Sequence, residues 1–411
     1  MTGPVPGTPS LLRAINDRAA LRALLERGPL TRPEIGALTG LSKPTASQLL
    51  VRLREAGLVV LDGVRAGSPG RTAEVYRVNP AAAYVGALDV TPARIEVQVA
   101  DITGTVVGEH TLPTPRGPAG PLVDRLSAAL RGAGPPAGLR RVVIGVQAAI
   151  DPSTGSLGYA AAKDVPGWRI PDLAPTLSAG LGVPVDVENN VNLVALAEQA
   201  HGAAQGTQDF VLLWADRGIG SAVVLGGRFH RGATGGAGEV GYMPAPGAPT
   251  ARESGRYADH GLQALTGGPA VLRLLRSYGV RGADFRQAVA NAVRVAGGTG
   301  RRAGDARAGL RDVAARLAVG LAAITSVVDP GLIVLSGGVV LPGGETLREL
   351  VEHELHALTI PRPRVRLSTV SGNPVLAGAL HLALGIVREE VFSSTVAAAR
   401  LRAHYEPPAT S

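Results

Sequence analysis

The residues best placed to do chemistry lie between Thr31 and Arg71, and that chemistry is contact with a polyanion. Ser42, Lys43, Thr45, Ala46, Ser47, Gln48 and Arg52 fall off the apolar stripe of one expected helix. Small polar side chains near a helix N-terminus let the backbone come close to a groove. Serine and glutamine can read base edges there, and lysine or arginine can meet phosphate. Arg65 and Arg71 flank a Gly-Ser-Pro-Gly tip, a basic turn suited to a minor groove or a phosphate clamp. The partner so described is double-stranded DNA. A three-helix unit with a hairpin also serves as a protein-interaction module, so that reading stays open here.

Local signals define the elements that must position these residues. Thr31 and Glu34 form a T-x-x-E capping box, with Pro33 in the first turn, where a missing N–H costs nothing. Ile35 and Leu38 share one face of this helix. Gly40 is its expected left-handed C-cap. Ser42 caps the next helix, with Pro44 in its first turn. Leu49, Leu50 and Leu53 are the buried stripe, and Gly57 stops the helix. An earlier helix, roughly residues 11–27, carries Leu11, Leu12, Ile15, Leu21, Leu24 and Leu25 and closes a three-helix core. The strand to Val60, the glycine-rich tip and the returning EVYRV strand complete a winged helix-turn-helix, whose second helix fits the major groove.

Composition agrees. The chain of 411 residues carries a net charge of +8. Residues 1–80 hold 11 Lys+Arg against 6 Asp+Glu, so over half of the basic excess lies in the first fifth. Such a segment binds polyanions by releasing counterions. Aromatics are only 3%, so the core must be built from Val, Leu, Ala and Ile. The chain has no cysteine, which excludes disulfides and thiolate zinc sites. No signal peptide and no apolar run of membrane-spanning length is visible, so a cytoplasmic protein without membrane contact is expected.

From Ala83 the pattern changes to alternation. YVGALDV, RIEVQVADI and TVVGEHTL read as three antiparallel strands, followed by a helix over 121–130. RVVIGVQAAI is a continuous apolar run typical of a central parallel strand. VPVDVENN is another strand, and NLVALAEQAHG starts a helix. DFVLLWADRGIGSAVVLGGRFHRG, VAARLAVGLAAITSVVDP and GLIVLSGGVV then repeat the unit. Two similar lobes around a cleft are expected, joined near residue 205, with a last long helix over about 374–390 packing back on the first lobe.

The strings GALDVTPARIEVQVADITG, DVPGWRIPDLAPTLSAGLGVPVDVENNVNLVALAE, GIGSAVVLGGRFHRGATGGAGEVGY and SVVDPGLIVLSGGVV carry a specific resemblance. Residues 10–390 resemble a transcription regulator of the ROK (repressor, open reading frame, kinase) family. The resemblance implies an α/β chain, with an N-terminal winged helix-turn-helix plus a two-lobed actin/hexokinase-like (ribonuclease H-like) ATPase fold. The implied organisation is a disordered 1–9, a DNA-binding domain over 10–79, lobes over 80–205 and 206–373, a returning helix over 374–393 and a tail over 394–411. It also implies a homodimer or homotetramer on an inverted-repeat operator, with a carbohydrate effector acting through the C-terminal domain.

Against the kinases of that family, the chain departs at three places. Their first phosphate turn has two glycines and a threonine after an aspartate; here it reads Asp89-Val90-Thr91-Pro92, and Pro92 has no amide hydrogen. Their second turn carries Thr-Gly; here it is Arg217-Gly218. Their catalytic Asn-Asp pair is Asn189-Asn190 here, and an amide cannot take up the proton of a sugar hydroxyl. Alternation places Asp186 and Glu188 on the strand face of Asn190, which leaves a substitute base conceivable. The expectation is no enzyme, no cofactor and no catalytic residue; an ATP-dependent sugar kinase with an accessory N-terminal domain is the alternative.

The resemblance also implies a zinc motif E-x-G-H, which reads Glu239-Val240-Gly241-Tyr242 here, so no metal is expected. His230 and His260 read as ordinary surface histidines. The implied ligand-binding set is Asn189, Asn190, Glu239, Tyr242 and Gln263. Gly337 and Gly338 match an adenosine-contacting turn and are expected to serve backbone geometry only. Two placements remain open, with Trp168 either near the cleft or in the core and Asn189 either on a ligand or capping the following helix.

Overall fold

The computed structural model describes residues 9–66, 72–115, 120–158, 167–168, 170–255 and 258–405. Residues 1–8, Arg71 at the wing and 406–411 of the expected tail lie outside the described residues.

The head comprises α1 (Pro9–Arg27), β1 (Leu30–Thr31), α2 (Arg32–Thr39), α3 (Lys43–Glu55), β2 (Val59–Ala66) and β3 (Thr72–Val78). Its three-stranded sheet has the order β1-β3-β2, with a register shift between Leu61 and Val64. Leu21, Leu24, Ile35, Leu49, Leu50 and Leu53 form the three-helix core. Three expected members of the apolar set are not in it. Leu12 is 56% exposed and Ile15 54%. Leu38, one turn on from the buried Ile35, is half exposed.

The first lobe contains β4 (Tyr84–Val90), β5 (Arg94–Asp101), β6 (Val106–Pro113), α4 (Leu122–Gly132), β7 (Leu139–Val146), the small hairpin β8 (Ala149–Ile150) and β9 (Leu157–Gly158), α5 (Leu173–Leu181), β10 (Val185–Asn189) and α6 (Asn190–His201). Its five-stranded sheet runs β10-β7-β4-β5-β6, an antiparallel meander extended by two parallel strands. The second lobe contains β11 (Phe210–Ala215), β12 (Ile219–Leu225), β13 (Arg228–Phe229), α7 (Ala251–Ser254), α8 (Gly261–Thr266), α9 (Gly268–Ser277), α10 (Phe285–Ala296), α11 (Arg301–Val328), β14 (Leu332–Ser336), α12 (Gly344–Leu358) and β15 (Arg364–Leu367). Its sheet, β13-β12-β11-β14-β15, repeats the same arrangement. In each lobe the central parallel strand, β7 or β14, is buried on two faces, which is why it reads as an apolar run.

The chain closes with α13 (Pro374–Tyr405), which is longer than expected. Its continuation, STVAAARLRAHY, is rich in helix-forming alanine, arginine and leucine and has no breaker. α13 packs on α6, β4, β7 and α1. The α6 crossing is close: a Cβ added at Gly378 would lie 1.8 Å from the Leu193 carbonyl oxygen. One hydrophobic cluster runs without a break from the head through β4 to α6, α13 and β11. Arg18 and Arg22 of α1 pair with Glu389 of α13 across the same junction.

Candidate functional site

The head presents its polar helix face as the local signals predict. The capping box closes on Glu34, whose Oε2 accepts from the Thr31 amide at 2.6 Å and the Thr31 hydroxyl at 2.8 Å. Gly40 is left-handed, with φ of 70°. The Ser42 hydroxyl accepts from the Thr45 amide at the start of α3. Ser42, Lys43, Thr45 and Gln48 are exposed together on the first turns of α3, at the positive end of its dipole. Ser47 is half-buried, donates to the Lys43 carbonyl at 2.9 Å and accepts from Arg32 at 3.2 Å. Arg32 thereby joins this surface. Sequence reading missed it because it belongs to the preceding helix.

Three residues differ from expectation. Ala46 is buried against the core, one turn before Leu49 and Leu50. Arg52 is held at 2.7 Å by Asp17 of α1, whose carboxylate is almost wholly buried. Burial pushes the Asp17 carboxyl up, and the Arg52 guanidinium opposes that shift. Arg65 lies over the start of α2, donating to Glu34 at 2.9 Å and to the Pro29 carbonyl at 3.2 Å. It pins the wing to the helix pair while remaining half exposed.

The second site lies where the parallel strands of both lobes end, the usual position for ligands in such sheets. Asn189 ends β10 and caps α6. Its Oδ1 accepts from the Val191 amide at 2.7 Å, and its Nδ2 donates to the Ala148 carbonyl at 3.0 Å. Asn190 follows, buried, with no side-chain hydrogen bond among the described residues. Glu188 is buried and fully engaged: Arg231 of the second lobe donates to it at 2.6 Å and Asn192 at 2.9 Å. Asp186 is held by Arg141 at 2.7 Å, and Arg141 also binds Glu390 of α13. Both carboxylates on the Asn190 side are therefore paired with arginine.

The two glycine-type turns are closed by the protein itself. At the first, the Thr91 hydroxyl donates to the Arg94 carbonyl at 2.9 Å and accepts from its amide at 3.1 Å. Asp89 is buried beside it and accepts from Asn373 at 2.9 Å; burial pushes its carboxyl up. At the second, Asp216 accepts from the Gly338 amide at 2.8 Å and from Arg286 at 2.7 Å. Arg286 also stacks on Phe285, 4.7 Å from the ring centre. The pair lies on the Gly337-Gly338 turn: a Cβ added at Gly338 would lie 2.4 Å from the Arg286 Nε.

The expected ligand set is only partly brought together. Asn189 and Glu239 line a cavity of about 20 Å³ with Asn192, Ser221, Gly235 and Gly238. Burial pushes the Glu239 carboxyl up to about 7. Asn190, Tyr242 and Gln263 do not line it. Gln263 instead holds the second turn, accepting from the Ile219 amide at 2.8 Å and donating to the Arg217 carbonyl at 3.3 Å. The Tyr242 ring packs against His260 at a tilt of 52°, with ring centres 5.4 Å apart. His260 is buried rather than on the surface, while His230 is exposed. Trp168 is core, packed in the first lobe with Leu122 and Leu173. Among the described residues no cluster of three or more His, Asp or Glu is placed to hold a metal, and no helix is long and apolar enough to cross a membrane.

With this geometry in view, the ROK family pattern matches residues 85–385. The chain belongs to the ROK family. A MarR family pattern matches residues 15–71, so the head is a MarR-like winged helix. The chain is similar to the xylose repressor of Caldicellulosiruptor bescii, 22% identical over 92% of this chain and 97% of that one. It is similar to the xylose repressor of Bacillus subtilis, 26% identical over 57% of this chain and 61% of that one. Among solved structures, the fold matches a ROK family transcriptional regulator described as a homolog of the E. coli MLC protein. That match has a TM-score of 0.69 and 17% identity and covers 94% of this chain and 99% of that one. A ROK hexokinase from Thermus thermophilus matches with a TM-score of 0.60 and 28% identity, over 74% of this chain and 99% of the hexokinase. ROK members thus include regulators and kinases, and the hexokinase match is confined to about the length of the two lobes.

Proposed function

We propose that this protein is a sequence-specific DNA-binding transcriptional regulator, a repressor controlled by a sugar or sugar derivative, with a body that no longer transfers phosphate. One observation carries the first part: a winged helix whose Ser42, Lys43, Thr45 and Gln48 stand exposed together on the first turns of α3. Side chains so placed suit base-edge reading and phosphate contact. The full-length similarity to xylose repressors supports it. Two heads in a homodimer would read half-sites about 34 Å apart or a multiple of that.

The loss of phosphoryl transfer is read from the body. Asn190 has no acidic group to offer, and Asp186 and Glu188 are both held by arginines. Asp216 places a carboxylate and its arginine partner at the glycine turn where a nucleotide would approach. Transfer rests on positioning and electrostatic stabilisation, and these groups offer neither.

Footprinting of the full-length protein on its own promoter region tests the DNA reading. Protection of an inverted repeat, relieved or strengthened by a sugar, is expected. No protection at moderate salt would refute it. Real turnover in a coupled ADP-release assay with hexoses would restore the kinase alternative. If DNA is bound but thermal-shift screening finds no stabilising sugar, a regulator without a small-molecule effector takes over.

A further inference from the structure

A further cavity lies in the second lobe, where α10 and α12 both pack on α11. Its volume is about 410 Å³, the size of a small-molecule site. None of Asn189, Glu239, Gly337 or Gly338 lines it, so it is distinct from the cleft. Leu310, 1% exposed, and Ala296, 8% exposed, give it an apolar floor, with Val293 and Leu350 partly buried beside them.

The charged groups on its rim come from two helices. Arg307 and Arg311 stand one turn apart on α11. Arg307 is occupied, donating at 2.7 Å to the Gly298 carbonyl just past the end of α10. Arg311 is exposed and has no hydrogen bond or ion pair among the described residues. Glu349, on α12, meets only Arg348, at a long 3.5 Å. Arg348 also serves Glu345 and Glu352, so one guanidinium answers three carboxylates. A free cation and an under-compensated anion thus border the same apolar floor. A simple carboxylate on Arg311 would lie against the acidic excess of α12, and a simple amine at Glu349 would lie against the arginines of α11. A molecule that carries both charges is matched at both places.

We propose that this groove binds a zwitterion with an apolar body, a free apolar amino acid. Its carboxylate lies on Arg311, its ammonium toward Glu349 and its side chain over Leu310. The site adds a ligand of a second class to the sugar proposed above and does not depend on it. α10 runs from this groove to Arg286, which bonds Asp216 at the second glycine turn. An occupant that braces α10 against α12 would therefore steady that turn as well.

Titration calorimetry on the full-length protein tests this with probes that share one body. They are L-phenylalanine, 3-phenylpropionate, which lacks the ammonium, and 2-phenylethylamine, which lacks the carboxylate. Phenylalanine should bind about tenfold more tightly than either. Arg311→Gln should weaken phenylalanine about tenfold and leave the amine bound no more weakly than before. Glu349→Gln should weaken phenylalanine and remove its advantage over 3-phenylpropionate. Both side chains are exposed, so the variants should fold as wild type does, which circular dichroism checks. Equal binding of the probes would overturn the proposal, and so would tighter binding of 3-phenylpropionate. Phenylalanine binding that neither variant alters would overturn it too, as would no binding of phenylalanine up to millimolar concentration. Each of these results leaves the sugar reading standing, because that site shares no residue with this one.

Discussion

Glu239→Gln should make the protein less sensitive to alkaline pH. The Glu239 carboxyl is raised from 4.5 to about 7 by burial alone. In the unfolded chain it loses its proton near 4.5, while in the native protein it keeps it until about 7. Its contribution is therefore fully present below about pH 4.5 and is lost as the pH rises through 7. At about 1.4 kcal/mol per pKa unit, the interval corresponds to at most about 3.5 kcal/mol. Glu239 is only partly buried, and water reaching the cleft should reduce this to about 1–2 kcal/mol. Glutamine keeps the shape and cannot ionise. The assay is thermal unfolding of wild type and Glu239→Gln at pH 5, 6, 7 and 8. The variant should lie nearest wild type at pH 5, gain on it up to about pH 7 and level off by pH 8. Parallel curves would mean that Glu239 is not desolvated. A variant that falls behind at pH 8 would mean that the carboxylate has a partner worth more than its burial costs.

Other expectations follow from the same contacts. Arg52→Ala should cost about 3 kcal/mol in the stability of the head, because it strands the buried Asp17 carboxylate. Gln48→Ala should leave the melting temperature unchanged and shift base preference, as selection on an operator library would show. Asn190→Asp alone should give no ADP release with any hexose, because Asp216 and Arg286 still occupy the second turn. Gly378→Ala should force α13 off the Leu193 carbonyl, costing about 2 kcal/mol or more, and should alter the ligand response before DNA binding in its absence.

What could be read from the sequence was what neighbours along the chain decide. The Thr31–Glu34 box, the left-handed Gly40 and the Ser42 cap are three-residue events, and each is found as expected. The paired lobes were legible because alternation and buried runs repeat. What stayed hidden was pairing at a distance. Arg52 falls off the apolar stripe of α3, so it reads as a phosphate contact; its partner Asp17 is 35 residues earlier. Gln263 reads as a ligand contact until the turn at Ile219, 44 residues away, takes up its amide oxygen.

The final helix gives the body a lever. α13 has 32 residues, so it is about 48 Å long. It starts beside Asn373, which is tethered to Asp89 at the edge of the cleft, and passes along α1. If it tilts as a stiff rod by about 5° about that origin, the point where Glu389 meets the head, about 22 Å along, swings by about 2 Å. Two heads carried on such rods in opposite senses would change their separation by roughly twice that, enough to spoil a fit set by the pitch of the double helix. Small adjustments around a sugar could in this way be felt as a mismatch in operator spacing, without any rearrangement inside the heads.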